Sequence, residues 1–588
     1  MKKALALVMA LVLLSATLAG CTTLKKDSEG NIDRGAVINM YMTTEVYNFD
    51  PQVTINDDAA LKIMSLIYEG LTTLDSNGKW QNAMMNSYSE SKNDRDGYSI
   101  TIELRDSKWT DGTTVQAKDF VYSWKRLLDA NNRGEAASLL YDIKNARQVN
   151  LGNVSIDDLG VSAVDTYTLK ITFENENVDL DRFFTNLSAL PLVPIREDIV
   201  ARYGENWAKR AASILTNGPF SVKDATEGKT LRLERSGYYY RDTEKGETLD
   251  KYVIPYRLIT SYDRGDLQAQ LDAYNNDEIF YIGELPLSER ANYEKQAEVS
   301  DMMVTHTYFF NTQNKLFRKA EVRRALSLAL DREKIAEILT FADPAVGYIP
   351  NGAFNTTRKT SFRKEGEDLI SSSANVEEAK SLLSSAGVRS GSFAITVRDN
   401  EADVAVAEYV KSVWDSLGFN VRIEKTGTDH TSVTETEGVI TYVVDEYQKK
   451  YDEGDFDVIA VDMAMASPDP FGPLSQFAGD FSGNGTNLDA EPYDYKGHVT
   501  GYESDEYTAL IEKAFASADE KERASLLHDA EALLMQDMPV CPLVFLKSAY
   551  LKSGVLSGIK TNYYGITDFK RTKMKNYMDY KETETAAE

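Results

Sequence analysis

Apolar positions follow three patterns along the 588-residue chain. The first is one uninterrupted run, residues 4–14, behind Lys2 and Lys3. It is too short for a comfortable transmembrane helix and has the length and basic flank of a secretory signal. The second pattern alternates. Residues 35–41 predict a buried first strand, and 98–104 and 167–173 alternate apolar with polar as half-buried strands do. Between those two, Phe120, Val121, Trp124, Leu127 and Leu128 recur on one face of a helix. Residues 79 to about 194 therefore read as a mostly β unit with one good helix. A helix over 59–68 precedes it, closed by Gly70. The turn Asn217-Gly218-Pro219 returns the chain to strands at 231–234 and 252–258, and 267–274 is helical. After Thr305 the third pattern sets in, strand followed by helix. Strands are expected at 307–310, 421–423 and 456–461, and helices at 322–335, 507–515 and 523–535. Two further helices are expected. One starts at Asn375, with Glu378 at its third position and Gly387 as its stop. The other carries Ala407, Val410, Trp414 and Leu417 and ends at Gly418. Residues 426–454, with Tyr442 and Tyr447, read as a long loop, either a lid or a surface insertion.

The apolar leader ends in Leu18-Ala19-Gly20-Cys21. Small residues before a single cysteine read as a lipobox, with 1–20 removed as a signal peptide and Cys21 acylated on sulfur. Each buried lipid CH₂ contributes about 0.8 kcal/mol, so two or three chains anchor durably. Residues 22–34 are polar, without apolar periodicity, and read as a tether between lipid and fold. The expected location is the outer face of the cytoplasmic membrane. The whole sequence is 42% hydrophobic and 10% aromatic, a globular composition, and is too long for one core, so two or three domains are expected. A formal charge of −27 without a basic cluster excludes a nucleic-acid partner and flat binding to an anionic bilayer. With Cys21 given to lipid, Cys541 stands alone in an apolar run, so no disulfide is expected. The four histidines, His306, His430, His498 and His528, have no metal-site spacing. No Gly-x-Ser-x-Gly elbow or phosphate loop occurs. The expectation is a chain without metal, cofactor or catalytic residues.

Several blocks carry a family resemblance. Ile67-Tyr68-Glu69-Gly70-Leu71, Trp109-Thr110-Asp111-Gly112-Thr113 and 117–126, Ala-Lys-Asp-Phe-Val-Tyr-Ser-Trp-Lys-Arg, are followed by Thr216-Asn217-Gly218-Pro219-Phe220. Asn311-Thr312, the helix 322–332, Ala379-Lys380 through Ala386-Gly387, Asp455-Phe456-Asp457 and Asp537-Met538-Pro539 complete the series. In this order they resemble the oligopeptide-binding class of ABC-transporter solute-binding proteins (family 5). Most of the blocks are structural: Trp109 and Trp124 read as core, Asp111-Gly112 as a turn, and Asp331-Arg332 as a helix end with local charge pairing. The resemblance implies an α/β, two-lobed clamshell of the periplasmic-binding-protein kind with a small α+β domain inserted in the first lobe. The first lobe would comprise 35–78, 205–304 and 540–580, the inserted domain 79–204 and the second lobe 305–539, with 581–588 an acidic tail. Two strands would cross between lobes, near 305–308 and 539–545. The implied partners are a short peptide held between the lobes and the permease and ATPase subunits of an importer.

The resemblance places ligand contacts at Glu45, Ile55, Asn56, Asp57 and Glu284 of the first lobe and at Tyr308, Asp462, Met463, Ala464, Met465, Ala466, Ser467 and Asp469 of the second. There the chain departs from the family's Trp-x-Ala-Asp-Tyr-x-Asp-Pro motif. Met463 stands for the tryptophan, and Ala466 for the aspartate that neutralises a peptide's α-ammonium. A buried ammonium without a counter-charge costs several kcal/mol. Asp462, Asp469, Glu45 and Glu284 are the candidate substitutes, though each reads more readily as a solvated or structural carboxylate. Phe280 also replaces a usual aspartate, near the hinge. Of Met463 and Met465, strand alternation lets only one face the cleft easily. The missing aspartate leaves open a ligand without a free amino terminus, such as an oligosaccharide, and a ligand-sensing lipoprotein is a further alternative.

Overall fold

Two antiparallel strands, Glu298–Phe310 and Val540–Lys552, each of 13 residues, organise the chain. The computed structural model describes residues 34–93, 97–130, 134–209, 211, 213–239, 252–356, 360–427, 434–436, 439–441, 446–482 and 498–580. Residues 1–33, with Cys21 and all of its tether but Arg34, lie outside the described residues, as do His430, Tyr442 and the tail 581–588. The long strands are rich in β-branched and aromatic residues and buried on both faces over 302–310 and 540–545, as a central strand requires. They pair from Glu298↔Tyr550 to Phe309↔Val540, with irregularities between Asp301 and Thr305 and between His306 and Thr307. The second falls where Thr307 faces Pro542, which has no N–H for the ladder.

These strands sit inside a seven-stranded sheet. Residues 304–310 pair on their other side with Val458–Ala464, and Ser392–Arg398 and Asn420–Thr426 add parallel strands beyond. Helices Ala320–Leu328, Arg332–Leu339 and Glu401–Ser416 bury Leu326, Ile335 and Trp414 in one core with Tyr308, Phe310 and Phe393. At the opposite edge, Tyr281–Ile282 pairs with 551–552, and Ile282 also bridges to Tyr41, beyond the strand Val37–Met40. That strand runs parallel to Arg257–Ser261, followed by Thr230–Arg235 and Phe220–Thr226, in the sheet of the first lobe. Against it lies helix Asp58–Ile67, whose start Asp57 caps by accepting from the Ala60 N–H at 3.1 Å.

The third unit is a four-stranded antiparallel sheet, Met85–Asn93, Gly97–Leu104, Thr168–Thr172 and Val161–Ala163, packed on helix Ala117–Leu128. Trp109 and Trp124 are fully buried there. Their indole N–H groups donate to Asp119 at 3.1 Å and to the Leu192 carbonyl at 3.0 Å. Arg126 of this helix pairs with Asp50 at 2.5 Å, and the Trp207 indole donates to the same carboxylate at 3.2 Å. These contacts lock the small unit onto the first lobe. The architecture is α/β, two-lobed, with a third small unit.

Four local expectations change. The single helix expected over 322–335 is two, because Asp331 caps a new helix on the Lys334 N–H. Arg332, expected to pair locally at a helix end, is buried instead. Its guanidinium donates to the Pro542 carbonyl and to Ser327 Oγ, each at 2.7 Å, tying helix to strand. The strand expected at 252–258 begins later, at Arg257–Ser261. The stretch 426–454 is not a simple loop, since Glu446–Glu453 is a helix with Tyr447 and Tyr451 buried on one face.

Gly218 shows how tightly the return turn is packed. Its N–H donates to the Ile67 carbonyl at 2.8 Å, and a Cβ at this position would meet the Ile67 carbonyl carbon at 2.4 Å. Neither partner is a flexible side-chain tip. Gly218→Ala is expected to lower the unfolding free energy by about 3 kcal/mol, read by chemical denaturation.

Candidate functional site

The small unit and both lobes meet around a small cavity of about 20 Å³. The first lobe contributes Ile55 and Asn56, just ahead of the helix that Asp57 caps. The small unit contributes Glu135, Ala136 and Leu139. The second lobe contributes Phe309, Tyr348, Tyr451 and the run Met463, Ala464, Met465, Ala466, Ser467 with Asp469.

Strand alternation explains which residues face it. On Val458–Ala464, Val461 and Met463 line the cavity, whereas Asp462 lies between them in sequence and points to the other face. There it sits opposite His306 in the ladder, its carboxylate 2.6 Å from His306 Nδ1. Phe309 lines the cavity, so Tyr308 does not. The Tyr308 side chain is fully buried in the second-lobe core, with its ring 6.1 Å from that of Trp414. The expectation that only one of Met463 and Met465 faces the cleft does not hold. Residues two apart on a strand face the same side, so Val461, Met463 and Met465 share the cavity face, and the Met465 N–H continues the pairing by donating to the Met303 carbonyl at 2.9 Å.

The polar groups of the cavity join all three units. Glu135 accepts from the Tyr451 hydroxyl on Oε1 at 2.6 Å and from Asn56 Nδ2 on Oε2 at 2.7 Å. The Ala464 N–H donates to Asn56 Oδ1 at 3.2 Å, and Gln476 Nε2 donates to the Glu135 carbonyl at 2.9 Å. Ser467 Oγ, expected among the ligand contacts, donates to Asn186 Oδ1 of the small unit at 2.6 Å. Tyr348 is held from below by Glu531, whose Oε1 accepts from the Tyr348 and Ile349 N–H groups at 2.8 Å and from Arg363 at 2.6 Å. Burial, with the Glu135 charge added, pushes the Tyr348 and Tyr451 phenols well above their ordinary value, so both stay neutral.

None of the four carboxylates expected as substitutes is a free group in this cavity. Asp469 lines it but is bound bidentately by Arg523 Nη2 at 3.0 and 2.8 Å and accepts from the Phe471 N–H. Although burial works against its charge, Arg523 and Arg182 hold its carboxyl below the usual range. Asp469 also borders a second cavity of about 60 Å³, lined by Arg182, Phe354, Glu520 and Arg523. Glu45 accepts from the Gly228 N–H at 2.8 Å and from Tyr47. Glu284 is raised by burial, against the lowering charges of Lys62 and Arg290. Glu45, Glu284, Asp57 and Asp462 all lie off the cavity lining.

Sequence reasoning did not single out Glu135, Phe309, Tyr348, Tyr451 or Gln476. Glu135 lies in a polar stretch with no periodicity, so no local signal marks it. Tyr451 had one: Tyr447 and Tyr451 are spaced as neighbours on a helix face.

Below the cavity, His306, Asp462, Asp403 and Arg398 form a buried charge cluster, and Asp57 of the first lobe acts on Arg398 across the gap. Burial alone would push the His306 imidazole down, but the charge and hydrogen bond of Asp462 hold it above its ordinary value. Arg398 also stacks over the Tyr447 ring at 3.9 Å. Among the described residues, no group of acids, histidines and cysteines could hold a metal ion.

Comparison with known proteins places this arrangement. Residues 81–485 match the family described as bacterial extracellular solute-binding proteins, family 5 Middle. The chain is similar to the oligopeptide-binding protein OppA of Bacillus subtilis, 26% identical over 91% of each chain. It is likewise similar to that organism's dipeptide-binding protein DppE, 27% identical over 95% of this chain and 96% of the other. Among solved structures, peptide-bound OppA of Listeria monocytogenes superposes with a TM-score of 0.75. It covers 92% of this chain and 99% of that one, and at 23% identity it shows the shared fold.

The buried cluster gives a pH-dependent expectation. A histidine raised in the folded state contributes stability that is complete below its unfolded value, about 6.5, and is lost as pH rises through the folded value. His306→Gln is expected to destabilise by about 3 kcal/mol at pH 6, because it leaves Asp462 and Asp403 to share Arg398 as their cation. The loss should shrink as pH climbs above neutrality, measured by urea denaturation across pH 5 to 9. A loss independent of pH would contradict a charged His306.

Proposed function

We propose that this chain, which belongs to the bacterial extracellular solute-binding proteins of family 5, captures short peptides between its lobes and presents them to the permease and ATPase subunits of an importer. The observation that carries the reading is the cavity itself. It closes over residues from both lobes and the small unit, and its polar lining is an acid, an amide and a strand-end N–H among apolar walls. A ligand that touches both lobes favours the closed state by its differential affinity for it. Relatives named as oligopeptide- and dipeptide-binding proteins support peptides as the ligand class.

In this reading, 35–78, 205–304 and 540–580 form one jaw with 79–204 attached, and 305–539 forms the other. Bending falls on the two long strands near their irregular pairs. Cys21 carries the lipid and 22–34 the tether, which keeps the protein beside its permease. No catalytic role is assigned, since each acid of the cavity is placed for holding rather than for proton transfer.

Thermal unfolding of the chain from Thr22 onward, with pools of free peptides, amino-blocked peptides and oligosaccharides, tests the ligand class. A ligand at a hundred times its dissociation constant stabilises by about 2.7 kcal/mol, a readily measured rise in midpoint. A rise with peptides is the expected result. A rise with oligosaccharides only, or none with either peptide pool, would sink the peptide reading and leave the fold untouched.

A further inference from the structure

The small unit moves with the first lobe. Arg126 holds it to Asp50, and Gln52 Nε2 of the first lobe donates to the Ser123 carbonyl at 2.8 Å. Its links to the second lobe therefore exist only while the jaws are shut. The largest of them centres on Phe481. In its own lobe this ring lies 5.8 Å from that of Phe471 and 5.5 Å from that of Phe515, and the small unit covers another side. Tyr141 approaches to 6.3 Å between ring centres, and the Arg147 guanidinium carbon stands 3.8 Å from the Phe481 ring centre. Phe481 is left 1% exposed. We propose that the small unit is the latch of the jaws, with Arg147 seated on Phe481 as its catch, and that the protein alone therefore populates the closed arrangement.

Closing in this way draws on groups that the cavity does not contain. Arg147, Tyr141, Phe481 and Asn186 all lie off its lining. Opening the jaws would return an aromatic ring to water and take away the cation that faces it, two losses of the same sign. The Arg147 side chain is only 20% exposed, and a cation over a ring contributes most where water is scarce. Arg147 also meets Glu512 of the second lobe at 3.7 Å, but that carboxylate is half-exposed, so water screens the pair. Deeper in the seam, Ser467 Oγ donates to Asn186 Oδ1 at 2.6 Å between two buried residues and fixes the register of the two surfaces. Near it, Arg182 of the small unit, bound by Asp142 at 2.8 and 2.9 Å, adds its charge to that of Arg523 around Asp469. The latch goes beyond the peptide reading, because it acts before a ligand arrives and whatever the ligand's class. A ligand then has to supply only the remainder of the closing free energy.

Spin labels at Val164→Cys of the small unit and Glu377→Cys of the second lobe read the distance across the jaws by pulsed electron resonance. Both positions are exposed, and Cys541 is buried beyond the label's reach. The chain from Thr22 onward is first unfolded in urea and refolded, to shed any carried ligand, and is measured with none added. The expected result is a population at the distance of the closed structure. Arg147→Ala should lower the ratio of closed to open molecules roughly tenfold. Phe481→Leu, on the opposite jaw, should lower it comparably, and the two together no further than the larger single effect, because both remove one contact. Glu512→Gln should leave the ratio unchanged. Circular dichroism identifies which variants are folded, and either Arg147→Ala or Phe481→Leu is enough for the comparison. Four results would overturn the proposal: no closed population in the wild-type chain, an unchanged ratio in a folded Arg147→Ala or Phe481→Leu chain, additive falls in the double variant, or an equal fall in Glu512→Gln. None of them touches the ligand class, which the thermal unfolding with ligand pools decides separately.

Discussion

The register of strand Glu298–Phe310 is the constraint on which the site depends. It is hydrogen-bonded on both sides, to Val540–Lys552 and to Val458–Ala464, so it cannot slip without breaking two ladders. Side chains on a strand alternate, and a one-residue slip would exchange the two faces. Phe309 would leave the cavity and Tyr308 would enter it; Asp462 and His306 would lose their shared face. The irregular pairing at Pro542 fixes where the alternation starts and lets two long strands bend without losing the rest of their bonds.

Around this frame, buried charges are handled in a consistent way. Glu531 takes two backbone N–H groups and a bidentate arginine. Asp469 takes Arg523, and Asp50 takes Arg126 and an indole. Each joins elements far apart in sequence, and each would be costly to leave half-paired. Their work is to hold the walls of the cavity still: Glu531 fixes the backbone of Tyr348, and Asp469 fixes the turn after Ser467. The apolar walls then need no polar anchors of their own.

Much of this was legible in the sequence, for physical reasons. Apolar periodicity located the helix Ala117–Leu128 and the central strands, because burial on one face or both leaves a repeat. Met463 to Ser467, Asp469, Ile55 and Asn56, expected at the cleft, all line the cavity. What failed were statements about direction and partnership. Tyr308 and Asp462 were on the right strands but on the far side, since periodicity gives alternation and not which phase faces a cleft buried on both sides. Asp331-Arg332 looked like an ion pair because local spacing cannot show that a distant strand offers carbonyls to a guanidinium. Glu135 had no signal, because its bonds to Asn56 and Tyr451 join residues that lie far from it along the chain.

The placement of the indoles has a spectroscopic consequence. Trp109 and Trp124 are sealed in the small unit, Trp207 is held at Asp50, and Trp414 is packed among phenylalanines of the second lobe. Trp80 lies against Phe184, and no tryptophan borders either cavity. Tryptophan emission in this protein is therefore a gauge of whether each unit is folded. The cavity is lined by Tyr348 and Tyr451, so its occupancy is largely silent in that emission and calls for a label placed across the jaws.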